Sequence, residues 1–243
     1  MIASLYDNFK HWSESGSVYL ISDPHFDDED SLLMNPNWLP ANQHVEILNK
    51  KIHKNDTLIC LGDCGDLRYF QQLKAGYKVL IKGNHDDKGN SVYQRKETVI
   101  QFNASEYTKK ELREKISKEY PGYKFNIIDG ECFNSPDEVF VALDNGLFDE
   151  VYDGPLFISE KILLSHEPIN GLPFCCNIHG HCHNYLHDYE DTFGCKHINI
   201  ASDVVDWKIM DLGSMIKSGI VSDITTIHRI TIDKAAKNPI HKK

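Results

Sequence analysis

Residues 17–23 read SVYLISD, a run rich in β-branched and aromatic residues that ends in the polar step Asp23-Pro24-His25. The pattern recurs. Thr57–Asp63 (TLICLGD) closes on Gly62-Asp63, with Asp66 three residues on, and Lys78–Asn84 (KVLIKGN) runs into Gly83-Asn84-His85-Asp86. Short apolar runs of this composition read as buried strands. Helical patterns lie between them. In Ala41–His53 the residues Val45, Leu48, Lys51 and Ile52 bias one face toward apolar contact, and Asp66–Lys74 is a shorter candidate. Strands alternating with helices of this length predict parallel strands joined by crossovers, hence a mixed α/β fold.

The second half reads differently. A charged helix is predicted over Ser105–Glu119, stopped by Pro121-Gly122. Asn145-Gly146 and Asp153-Gly154 are hairpin signals that frame strands at Glu138–Leu143, Leu147–Tyr152, Pro155–Ser159 and Lys161–His166. Two later strands, His197–Ala201 and Ile224–Asp233, flank a helix candidate over Trp207–Lys217. With no internal repeat, low-complexity tract or linker, residues 1–243 are expected to form one domain, with 1–15 as an N-terminal extension. Two packed sheets with helices outside are the expected architecture.

Composition narrows the function classes. Hydrophobic residues make up 41% of the 243, with 15 Gly and 9 Pro, which excludes collagen-like and disordered chains. No apolar run approaches the roughly 20 residues needed to span a bilayer, and the first 15 residues lack a signal-peptide core. A soluble, cytoplasmic protein is expected. A net charge of −10 disfavours anionic membranes and any stable nucleic-acid complex, both of which rely on clustered Lys and Arg. The chain has seven Cys, an odd number, and reduced thiols are the default without an export signal. Its 13 His are many, and five of them fall between His179 and His197.

The chemistry-bearing residues sit where the apolar runs end. In order they are Asp23-x-His25, Gly62-Asp63-x-x-Asp66, Gly83-Asn84-His85-Asp86 and Ser165-His166, and a stretch read as strand-less then gives Gly180-His181-x-His183. Ligands of open α/β sheets collect at the carboxyl ends of strands, so these points can converge on one crevice. Asp, Asn and His suit Mn, Fe, Zn or Ni. A D-x-H alone carries no weight, since one is expected by chance in such a chain. The ordered set does.

That order, DxH, GDxxD, GNHD, H and GHxH, resembles the calcineurin-like metallophosphoesterase family, and the resemblance spans Asp23 to His183. It implies a four-layer αββα sandwich, two mixed β-sheets flanked by helices, with two divalent metal ions at the sheet edge. One ion would be held by Asp23, His25, Asp63 and His183. The other would be held by Asp63, Asn84, His166 and His181, with Asp63 bridging. His85 would face the substrate, oriented by Asp66, and Asn84 would help place the phosphate; these three are the catalytic candidates. One departure is clear: Leu67 and Arg68 follow GDxxD where protein phosphatases carry Arg and Gly, which argues against protein-phosphatase activity.

The implied reaction is in-line attack on phosphorus by metal-bound hydroxide, with Mn²⁺ first among the candidate ions. Only two carboxylates balance two divalent ions, so the site is locally positive and attracts phosphate despite the global charge. The expected partner is a small phosphoester, a phosphodiester of nucleotide type. A phosphomonoester or a dinucleoside polyphosphate is the alternative substrate, and a non-catalytic scaffold is the alternative of another class. Scaffolds typically lose ligands or the GNH histidine, and this chain keeps both.

Other polar residues take plainer readings. Asp27–Asp30 is read as a solvated acidic loop rather than a third cation site, Asp86 as either a supporting partner of the site or an exposed loop acid, and His179 and His187 as solvent-exposed rather than pocket-lining. His44 and His53 are read as surface or packing residues, and Cys60 as core. Cys175, Cys176, Cys182 and Cys195 invite a structural-zinc reading, but their spacing lacks the C-x2–4-C knuckle. Segment 87–165 is expected to contribute to the substrate wall.

Overall fold

The computed structural model describes residues 16–229 continuously, together with Ala3, Ser4, Phe9, Trp12, Glu14, Thr231 and Ile232. The three opening runs form β2 (Val18–Ile21), β3 (Thr57–Cys60) and β4 (Tyr77–Ile81), paired in parallel. With β8 (Glu150–Tyr152) parallel to β4 and β14 (Met210–Asp211) antiparallel to β2, they make a five-stranded sheet ordered β14-β2-β3-β4-β8. The crossovers carry α1 (Ser31–Met34), α2 (Ala41–Asn49) and α3 (Arg68–Gln72).

A second, six-stranded sheet is ordered β1-β9-β10-β11-β13-β12. Its members are β1 (Ala3–Ser4), β9 (Leu156–Ser159), β10 (Ile162–Leu164), β11 (Cys176–His179), β12 (Asp188–Glu190) and β13 (Lys196–Asn199). The strands β10, β11 and β13 run parallel, whereas β9 and β12 pair antiparallel with their neighbours.

The two sheets pack face to face. Leu20, Ile59, Leu61, Val79 and Ile81 of one meet Leu156, Ile158, Leu164, Ile178 and Ile198 of the other in a single buried cluster. The opposite face of the five-stranded sheet (Ile21, Leu58, Cys60 and Leu80) packs on Val45 and Leu48 of α2 and Phe70 of α3. All four residues of β3 are buried, which is why its sequence is continuously apolar rather than alternating. Truncating Leu48, fully buried under this sheet, to Ala would cost about 2–5 kcal/mol.

The outer face of the six-stranded sheet is polar, and loops lie over it. Asn177, His179, His197 and Asn199 are buried there. The Ile169 N–H donates to Asn177 Oδ1 at 2.7 Å, and Asn199 Nδ2 donates to the Cys182 carbonyl at 2.7 Å. No helix among the described residues is long and apolar enough to cross a membrane.

Several sequence expectations change. Neither Asn145-Gly146 nor Asp153-Gly154 makes a hairpin. Each is a turn at which the chain changes sheet, because β8 finds its partner in β4 rather than in a sequence neighbour. Segment 87–165 holds α4 (Asn90–Tyr93) and a third, antiparallel sheet of β5 (Glu97–Asn103), β6 (Lys124–Asp129) and β7 (Glu138–Asp144), ordered β5-β7-β6. Against it packs α5 (Lys109–Glu119), through a core of Leu112, Ile116, Val139, Val141 and Leu143. A capping box between Thr108 and Glu111 starts this helix four residues later than Ser105.

The second half holds two further changes. The helix expected over 207–217 is confined to α6 (Leu212–Lys217). The late strand expected at Ile224–Asp233 is absent: residues 227–229 and 231–232 are helical, and Ile230 and Asp233 lie outside the described residues. The N-terminal extension is integrated where it is described. Ala3–Ser4 pairs with β9, and Trp12 is buried with its Nε1 donating to Glu150 Oε1 at 3.1 Å.

Candidate metal centre

The site is built from the loops that leave the carboxyl ends of β2, β3, β4, β10 and β11. Backbone bonds stitch these loops together: Asp23 N–H donates to the Gly62 carbonyl at 3.1 Å, His25 N–H to Asp63 at 3.1 Å, and Gly180 N–H to His166 at 2.9 Å. Asp23, His25, Asp63 and His181 all sit at positive φ (51°, 38°, 53° and 64°). That region is uncommon for residues with a Cβ and is retained where the surroundings over-determine it. Two glycines permit the approach. A Cβ on Gly180 would overlap the Asp23 carboxylate, and one on Gly83 would overlap Asp63 Oδ1.

Two trios of ligand atoms result: Asp23, His25 and His183 in one, and Asp63, His166 and His181 in the other, each within 4.8 Å. Asp63 joins them. Its Oδ2 lies 3.6 Å from His25 Nε2 and 3.3 Å from His166 Nε2. Asp23 Oδ1 lies 3.7 Å from His183 Nε2. Asn84 Oδ1 stands 2.9 Å from His166 Nε2 and 3.1 Å from His181 Nδ1, and those two ring nitrogens are 3.2 Å apart. The sequence-predicted ligands Asp23, His25, Asp63, Asn84, His166, His181 and His183 are thus brought together.

The residues fit a divalent metal centre. His25 is 1% exposed and its Nε2 has no hydrogen-bond partner, a costly state for a buried polar atom. Acceptor atoms of Asn84 and Asp63 crowd the same His nitrogens. A cation among them satisfies both features, and the donor set of carboxylate, amide oxygen and imidazole suits Mn, Fe, Zn or Ni.

Further residues orient the ligands. His25 Nδ1 lies 2.9 Å from Asp28 Oδ2, and His183 Nδ1 lies 2.8 Å from Asp203 Oδ1. His166 Nδ1 donates to the Leu61 carbonyl at 2.8 Å. Partners of this kind fix ring orientation and ligand basicity. Asp28 corrects the reading of 27–30 as a merely solvated loop; its three-residue spacing from His25 was the available signal. Asp203 had none, because only the fold carries it to His183. The buried Asp86 accepts backbone N–H groups of Asp63 (2.7 Å), Gly83 (3.0 Å) and Cys64 (3.2 Å), which places it in support of the site.

Electrostatics follow the same geometry. Burial alone would lower the His166 imidazole, but its hydrogen bond to Asp63 and the charges of Asp23 and Asp63 raise it to about 9. Burial would raise Asp63, yet His166 and the His85 N–H hold it below the usual carboxylate range. Protons and metal ions therefore compete for these side chains.

The catalytic candidates divide. His85 and Asn84 are exposed at the mouth. The His85 ring stands edge-on to His25, with centroids 5.3 Å apart, and the His85 backbone N–H donates to Asp63 Oδ1 at 2.9 Å. Asp66 is turned elsewhere. Its carboxylate accepts from Arg68 Nε at 2.8 Å, and no hydrogen bond joins it to His85 among the described contacts. His179 is buried rather than exposed, His44 takes the packing reading of its two, and Leu67 is half-buried against the α2–α3 cluster.

A family model described as calcineurin-like phosphoesterase matches residues 16–206. The chain belongs to the calcineurin-like phosphoesterase family. It is accordingly a metal-dependent phosphoester hydrolase whose His and Asp clusters form a divalent metal centre. This phosphoesterase is also similar to a crystal structure of AQ665, a protein of unknown function from Aquifex aeolicus. The identity is 23% and the TM-score 0.49, over 83% of this chain and 98% of that one. No curated protein matches the sequence.

Proposed function

We propose that this phosphoesterase hydrolyses small phosphodiesters of nucleotide type with two divalent ions, Mn²⁺ among the most effective. The observation that carries the reading is the shared carboxylate, since Asp63 Oδ2 reaches toward both His25 and His166. Paired ions, when bound, supply Lewis acidity and activate water for in-line displacement at phosphorus. Asp63 would be held in common by both ions, and Asn84 would orient the phosphoryl oxygens from the exposed rim. Among the described residues, His85 is an exposed imidazole at the mouth that neither trio uses, and it donates a proton to the departing oxygen.

The surroundings favour a diester. A monoester dianion calls for additional cations, and two of those nearby are already engaged: Arg68 by Asp66 and Lys82 by Asp153 at 2.6 Å. Beside Asn84 and His166 runs a groove of about 300 Å³, lined also by Lys82, Asp153, Pro155 and Ile169. It offers room for a second ester substituent. Segment 87–165 contributes Asp153–Pro155 and Ser165 to this wall, and its small sheet forms no part of the groove lining. Seven free thiols accord with a reducing, cytoplasmic compartment.

The test compares bis(4-nitrophenyl) phosphate with 4-nitrophenyl phosphate at neutral pH in Mn²⁺. A higher specificity constant for the diester is expected. A tenfold advantage for the monoester overturns the diesterase reading while leaving the metal centre intact.

A further inference from the structure

A second cluster of metal-competent side chains lies at the opposite, amino-terminal edge of β11 and β13. Asp191, Cys195 and His197 each offer a ligand atom, all within 4.8 Å of one another. Cys175, which immediately precedes β11, adjoins this trio: its carbonyl accepts the Cys195 thiol at 3.8 Å, while its own thiol donates to the Leu172 carbonyl at 3.5 Å. Two separate pieces of chain thus meet: the loop after His166, and the turn between β12 and β13 with the start of β13.

The arrangement is built and incomplete. His197 is fully buried, yet neither of its ring nitrogens has a hydrogen-bond partner. Nε2 lies 3.6 Å from Asp191 Oδ2, too far for a hydrogen bond. A buried imidazole left in this state costs a desolvation penalty that a bound ion would remove. The ring is also held in place, since Tyr189 stacks on it at 4.8 Å with planes 5° apart. Asp191 is fixed by N–H groups of Phe193 and Cys195 on Oδ1 and of Gly171 on Oδ2, each at 2.8 Å.

We propose that Cys175, Asp191, Cys195 and His197 hold one structural zinc ion. Four donors from two Cys, one His and one carboxylate suit tetrahedral zinc, with ligand bonds of about 2.0–2.3 Å. The two sulfurs select zinc over Mn²⁺, which prefers oxygen donors. Cys176 takes no part because it faces the core between the sheets, so the ligand set differs from what sequence spacing suggested. The ion would clamp the loop that follows His166 to the β12–β13 hairpin. From there Tyr189 Oη reaches His179 Nε2 at 3.0 Å, and His179 Nδ1 reaches the Gly180 carbonyl at 2.7 Å, next to His181.

The test is zinc content of the full chain purified under reducing conditions, in the wild type, Cys195→Ser and Asp63→Asn. One zinc per chain should survive a mild chelation that strips the phosphoesterase centre. It should persist in Asp63→Asn and disappear in Cys195→Ser, so failure here is distinguishable from failure of the proposed activity. Should Cys195→Ser be insoluble, the wild type decides. Its Co²⁺ form should show thiolate-to-cobalt charge-transfer absorption, and the zinc form should protect Cys175 and Cys195 from alkylation. Zinc retained in Cys195→Ser, no charge-transfer band, alkylation of both thiols in the zinc-treated chain, or a Cys175–Cys195 disulfide in the freshly purified chain would each overturn the proposal.

Discussion

Asp203 holds His183 from behind. Its Oδ1 lies 2.8 Å from His183 Nδ1 while its Oδ2 accepts the Asn184 N–H at 2.8 Å, and the free Nε2 of His183 is left turned toward Asp23. The side chain whose role is hardest to read from sequence thus sets the tautomer of a ligand. Asp203→Asn should leave the fold intact and weaken metal affinity by about 10–100-fold, the usual cost of losing such a partner. A Mn²⁺ activation curve measures it, and an unshifted curve would remove Asp203 from the site.

Asp86 has a different task. It carries three backbone N–H groups of the loops after β3 and β4, and Asp86→Ala strands them in a buried place. About 3 kcal/mol of stability should be lost, given about 1–3 kcal/mol for each unsatisfied buried group and partial relaxation. Urea unfolding of metal-free protein reads it directly. A loss under about 0.5 kcal/mol, the range of ordinary surface changes, would contradict the role.

His85 tests whether the exposed imidazole at the mouth acts chemically. His85→Ala should keep metal content at the wild-type level while turnover falls by about 10²–10⁴, the range for a lost proton-transfer group. Loss of metal instead would make His85 a ligand.

Much of this was legible before the fold was known. The strands β2, β3 and β4 are buried on both faces, so their apolar runs end abruptly where the polar loops begin. Those ends mark Asp23, Asp63 and Asn84. What escaped the sequence depends on distant partners. Asn145-Gly146 has the turn chemistry of a hairpin, yet β8 pairs with β4, a choice made by tertiary packing. The sheet of β5, β6 and β7 was mostly missed because β5 and β6 are half-exposed and their apolar residues are interspersed with charged and polar ones. Asp66 satisfies the expected motif, but in the fold its nearest cation is Arg68, two residues away.

His44 gives the protein an acid-sensitive element away from the metal. It is buried against Phe26, Nδ1 has no partner, and burial pushes its pKa down to about 4. The unfolded chain binds a proton there below about pH 6.5, whereas the native chain stays neutral to about pH 4. Stability is therefore present above pH 6.5 and lost as pH falls, by about 2 kcal/mol between pH 6.5 and 5 for this residue. In chelator, His44→Leu should show a shallower acid limb in urea unfolding than the wild type. An identical limb would show that His44 is protonated in the native state.

The central claim is that one carboxylate, Asp63, joins two ions in a single centre. The most direct measurement is Mn²⁺ binding to stripped protein by equilibrium dialysis, with electron paramagnetic resonance of the loaded chain. Two Mn²⁺ per chain with an exchange-coupled spectrum are predicted, the coupling disappearing in Asp63→Asn. A single Mn²⁺ per chain, or two uncoupled ions, would contradict the account.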